Sequence, residues 1–101
     1  MARWLNQEIT WAASQGSESL LTLIAGRAGE FNSINAATAL HRLARLYEDG
    51  TERVAREAML KGETFGALLA RTEELLALPP GPDCDARAVS TIAHALAALD
   101  V

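Results

Sequence analysis

Thr38-Ala39-Leu40-His41-Arg42-Leu43-Ala44-Arg45-Leu46 returns fifty-three residues later as Thr91-Ile92-Ala93-His94-Ala95-Leu96-Ala97-Ala98-Leu99, identical at five of nine positions and holding the only two histidines of the chain. Ala and Leu matches are cheap in a chain so rich in both, but the shared His frame, three residues after a Thr and two before a Leu, marks an internal repeat. Each copy reads as one helix of a helical repeat. Such a unit cannot bury its apolar stripe alone, so stacked neighbours are required and function is expected on a stacked surface rather than in a deep pocket.

Working outward, the apolar period and the turn residues predict six helices. The first runs over about Arg3 to Ala13 on Trp4, Leu5, Ile9, Trp11 and Ala12, ending at Ser14-Gln15-Gly16. Ser17 is the expected N-cap of a second, through Leu20, Leu21, Leu23 and Ile24 to about Ala28, with Gly29 as its stop. Asn32 or Ser33 caps a third, to about Tyr47, whose Ala36, Ala37, Leu40, Leu43 and Ala44 keep helical spacing until Gly50. Thr51 opens a fourth on Val54, Ala55, Ala58 and Met59, closed by Gly62. A fifth spans about Thr64 to Leu78, on Phe65, Leu68, Leu69, Leu75, Leu76 and Leu78, until Pro79 and Pro80 remove the N–H groups a helix needs. Asp85 caps the last, on Val89, Ile92, Ala93, Leu96 and Leu99. The expected fold is all-α: a single domain over 1–101 of antiparallel helix hairpins stacked as a short α-solenoid. Its repeat-like helices cover about 17–47 and 64–99, helix two pairs with three and five with six, and helix four is an intervening unit.

Composition agrees with that class. Half of the 101 residues are hydrophobic and few are aromatic, which favours helices packed through small side chains over sheets rich in Val, Ile and Tyr. The net charge of −4 gives no global basic footprint for nucleic acid. Cys84 is the only cysteine, so an intrachain disulfide and a cysteine-based metal cluster are both excluded. No apolar run is long enough for a membrane span, and Met1-Ala2-Arg3-Trp4-Leu5-Asn6-Gln7-Glu8 lacks both an apolar signal core and a transit-peptide composition, so no targeting segment is expected within the chain.

Phe31-Asn32-Ser33-Ile34-Asn35-Ala36-Ala37-Thr38-Ala39-Leu40-His41-Arg42-Leu43-Ala44, preceded by Leu5-Asn6-Gln7-Glu8-Ile9 and Ser19-Leu20-Leu21-Thr22-Leu23-Ile24, resembles a known group of helical repeats. These are the repeats of organellar RNA-binding proteins of algae, dinoflagellates and apicomplexans, the octotricopeptide-repeat and FAST-kinase-like proteins that often end in an RAP domain. The resemblance is clearest over residues 4–47, weaker over 65–99 and slight over 48–64. It implies paired helices in a solenoid, a role in organellar transcript metabolism, and an intracellular location in a mitochondrion or plastid. It also makes RNA the first ligand to consider. On that implication Arg42 and Arg45, then Arg27 and Arg71, contact phosphate, and Asn35 or Asn32 contacts a base or caps its helix.

Each candidate has a plainer reading beside it. His41 and His94 suggest a shared metal or a proton relay, but equivalent repeat positions are more simply packing slots in successive layers, separated by at least one helix-pair step. Arg42 and Arg45, with Arg53 and Arg56, stand among Glu48, Asp49, Glu52 and Glu57, which allows a solvated surface laced with salt bridges. Trp4 and Trp11 share a helix face and either stack bases, cover the end of a stack or meet another subunit. Cys84 and the acids Glu73, Glu74, Asp83 and Asp85 read as packing, exposed charge and caps. With no phosphate-binding glycine loop, nucleophile elbow or zinc-spaced motif, no catalytic residue, metal or cofactor is expected. The expected function is a non-enzymatic binding module for RNA. The alternative is a protein-interaction or assembly subunit, as an oligomer or as a fragment of a longer array.

Overall fold

The computed structural model describes residues 2–47, 53–79 and 86–99. These form six helices: α1 (Ala2–Gln15), α2 (Ser17–Arg27), α3 (Ser33–Leu46), α4 (Arg53–Lys61), α5 (Glu63–Leu76) and α6 (Ala86–Ala98), with a 3₁₀ turn at Ala28–Glu30 and no strand among the described residues. The all-α class is as the composition predicts. The features expected at Glu48, Asp49, Gly50, Thr51, Glu52, Pro80, Gly81, Pro82, Asp83, Cys84 and Asp85 lie outside the described residues.

Local chemistry sets the helix starts. Gly16, the single residue between α1 and α2, has φ 125° and ψ 173°, a backbone region that side-chain-bearing residues avoid. It turns the chain back so that α2 lies against α1. Gly16 is therefore the N-cap of α2, and Ser17, expected in that role, is the first helical residue. At α3 the cap is Asn32. Its Oδ1 accepts from the Asn35 backbone N–H at 2.9 Å, while the Asn35 Oδ1 accepts from the Asn32 backbone N–H at 3.0 Å. Two N–H groups with no partner inside the helix are thereby satisfied by one reciprocal pair.

α3 is the centre of the packing. α6 and α1 both pack extensively on it, while α2 packs on α5 and α4 on α5. α6 makes its extensive contact with α3, and α5, its expected hairpin partner, is not among its main neighbours. Leu5, Ile9, Leu20, Ile24, Phe31, Leu40, Leu43, Phe65, Leu68, Leu75, Ile92 and Leu99 join one continuous core. Several residues expected in that core are outside it. Trp4 (68 % exposed), Trp11 (66 %) and Val54 (82 %) face away from it, as do Leu76 and Leu78 just before Pro79. α5 ends at Leu76, two residues short of its expected end, with Ala77 as its C-cap. The radius of gyration, 12.5 Å, matches the roughly 13 Å of a folded chain of about a hundred residues.

Candidate binding groove

The sites expected to touch RNA divide into residues built into the scaffold and residues left on its surface. Asn35 belongs to the scaffold. It is fully buried, its side chain closes the capping box, and its Nδ2 donates to Asn6 Oδ1 at 3.4 Å, so it caps a helix and cannot reach a base. Arg71 also serves the fold. Its Nε donates to the Phe31 carbonyl at 2.9 Å, tying α5 to the segment before α3, and its Nη1 stands 3.7 Å from Glu74. Arg27 is shared between Glu30 (2.8 Å) and Glu8 (3.0 Å). The Glu30 hydrogen bond foremost, and then the charges of Glu30 and Glu8, hold its guanidinium above its ordinary pKa. Two carboxylates beside one guanidinium leave it poorly placed for phosphate, a competition that spacing along the sequence does not reveal.

Arg42 and Arg45 are exposed on α3, and both border a groove between α3 and α6. The groove has two parts that meet at His41. The larger, about 500 Å³, is bounded by Asn6 and Thr10 of α1, by Ile34, Ala37, Thr38, His41 and Arg42 of α3, and by Arg87, Ala88 and Thr91 of α6. The smaller, about 260 Å³, is bounded by His41, Ala44 and Arg45 of α3, Arg56 of α4, and His94, Ala95 and Ala98 of α6. Along both helices residue numbers rise from the larger part into the smaller. α3 and α6 therefore run in the same direction, side by side.

That parallel pairing corrects the expectation for the histidines. Helices in contact have axes only about 8–10 Å apart, so equivalent positions on parallel neighbours face one groove. Thr38 and Thr91 both line the larger part, and His41 and His94 both line the smaller. Neither imidazole fills a packing slot, because both are exposed. Nor does a helix pair stand between them. The repeat predicted their equivalence, while the missing information was which helix packs directly on which.

The groove concentrates positive charge. Arg42, Arg45, Arg56 and Arg87 are four of the nine Lys and Arg residues of a chain whose net charge is −4, and no carboxylate is among the described residues lining either part. Arg45, Arg87 and Glu57 each engage a partner. Arg87 and His94 were not among the residues the sequence pointed to, because α6 carries the copy of the repeat without arginine and Arg87 precedes that copy. The equivalence of His94 to His41 in the repeat was the available signal for the histidine, while Arg87, opposite Ile34, had none. Arg56 is partly buried, and its Nε is shielded from solvent without a hydrogen-bond acceptor. Among the described residues no group of three or more His, Cys, Asp or Glu is placed to hold a metal ion, and no helix is long and apolar enough to cross a membrane. No protein-family model, curated protein or solved structure matches the chain.

Proposed function

We propose that this chain is a non-enzymatic RNA-binding module in which the phosphates of a single strand follow the groove between α3 and α6. The observation that carries this reading is the gathering of four arginines and both histidines in one groove, with no carboxylate among the described residues that line it, on a chain that is acidic as a whole. Guanidinium groups bind phosphate oxygens through paired N–H donors and keep their charge at any physiological pH. Thr10, Thr38, Thr91 and Asn6 at the larger part offer neutral hydrogen-bonding groups beside that charge, as a sugar or base edge requires. On this reading α3 and α6 are the equivalent helices of two successive repeats, and they pack on each other as α2 and α5 do. The resemblance to octotricopeptide repeats supports RNA as the polymer and an organelle as its setting.

Fluorescence anisotropy with short single-stranded RNAs over a salt series tests the proposal. Neutralising about four phosphates on a single strand gives a slope of log affinity against log salt near −3, since each contributes about −0.7. Arg42→Glu on α3 and Arg87→Glu on α6 are expected to weaken binding by similar factors and to flatten that slope. Binding that ignores salt, or that survives both charge reversals unchanged, overturns the proposal.

A second reading rests on a different observation, the two tryptophans left in solvent on α1. Large aromatic side chains on one exposed face suit a protein partner, and on this reading the chain is an assembly subunit.

A further inference from the structure

The geometry points to a phosphomonoester site in the smaller part of the groove, held by His41, Arg45, Arg56 and His94. Among the described residues, every polar side chain lining this part is a donor: the guanidinium groups have no acceptor, and each imidazole carries at least one N–H. The remaining lining is Ala44, Ala95 and Ala98, small residues that leave the space open. Arg56 brings a second guanidinium, from α4, to this lining. Arg45, which also engages another group, contributes charge from α3.

The ligand class follows from the donors. They converge from three helices, α3, α4 and α6, and ask for an acceptor with oxygens on several sides and more than one negative charge. A phosphomonoester offers three terminal oxygens and a charge near −2, whereas an internal phosphodiester of RNA offers two free oxygens and a single charge. A space of about 260 Å³ suits a phosphate group better than a whole nucleotide. The adjoining space of about 500 Å³ across His41 gives room for the molecule that bears it. There Thr10 donates its hydroxyl proton to Asn6 O at 3.0 Å and Thr91 donates to Arg87 O at 3.1 Å. Both oxygens remain acceptors, which suits a hydroxyl-bearing skeleton such as a sugar. The site therefore fits the phosphorylated end of an RNA or a free sugar phosphate. It does not depend on the groove accepting a longer strand.

NMR titration of the full chain with inorganic phosphate and with ribose 5-phosphate, at constant ionic strength, tests the site. The same short RNA carrying a 5′-phosphate or a 5′-hydroxyl distinguishes the two sources. Saturable shifts of the His41 and His94 ring protons and of the Arg56 Nε–H are expected with both small probes. If the end of an RNA is the ligand, the 5′-phosphorylated strand binds at least tenfold more tightly than its 5′-hydroxyl twin. Arg56→Met should abolish the effect. Ala98→Leu, which fills the space from an exposed position on α6 without changing charge, should do the same and guards against a folding defect in the first variant. If ribose 5-phosphate binds while neither RNA does, the site stands and the RNA reading falls. If both RNAs bind equally and the small probes leave the two histidines and Arg56 unmoved, the site is overturned.

Discussion

Asn35 illustrates how one side chain can look like a recognition residue and be a structural one. Amides read bases well, but this one spends its acceptor on the Asn32 backbone N–H and a donor on Asn6, inside the core. Replacing Asn32 by Ala removes the reciprocal half of the box and is expected to cost about 1 kcal/mol of unfolding free energy, read from urea denaturation. Asn35→Ala should cost at least as much, because buried polar neighbours then lose their partner. RNA affinity measured on the folded fraction should be unchanged in both variants. A loss of affinity at unchanged stability would return Asn35 to the binding surface. Arg71 belongs beside it, since its bond to the Phe31 carbonyl positions the same helix start from α5. Spacing could identify Asn32 as a cap. It could not tell which arginines would find carboxylates or carbonyls first.

At the scale of elements, the two copies of the repeat differ because α3 packs against α1, α2, α5 and α6, whereas α6 packs chiefly on α3. Leu43 is fully buried on α3, while Leu96, its counterpart on α6, is only partly covered. Leu40 is likewise buried, and its counterpart Ala93 is exposed. Matched sequence therefore does not mean matched energy. Leu43→Ala is expected to cost about 2–5 kcal/mol and Leu96→Ala clearly less, compared by chemical denaturation of the two variants. Equal losses would mean that α6 is as enclosed as α3. The helix junctions follow the same logic. α2 begins where Gly16 adopts a positive φ, which a glycine suggests, but the sharpness of that turn depends on α2 having α1 to pack against.

For the molecule as a whole, the net charge and the local charge have opposite signs. An acidic total argues against nucleic acid only if charge is spread evenly, and here packing gathers arginines from α3, α4 and α6 along one groove. The tryptophans form the other exposed feature. Because Trp4 and Trp11 are seven residues apart on α1, one partner surface can cover both. If they mediate assembly, sedimentation of the intact chain should reveal a concentration-dependent oligomer that Trp4→Ser with Trp11→Ser converts to monomer. A monomer at all concentrations that still binds RNA through Arg42 and Arg87 would count against the assembly reading.

The sequence alone determined the helical class, the approximate limits of the helices and the equivalence of the two Thr-x-x-His stretches. Each depends on local matters: the period of apolar residues, the backbone demands of Gly, Pro and Asn, and similarity within the chain. Tertiary structure decided that the two copies lie directly side by side and in parallel. From that single fact come the shared groove of His41 and His94 and the entry of Arg87 into the site, while contacts elsewhere in the fold engage Asn35, Arg27 and Arg71. Helix partners are chosen by the fit of whole faces, a sum of many weak contacts between residues far apart in the chain. The repeat marked two equivalent helices, and their packing turned that equivalence into one charged groove.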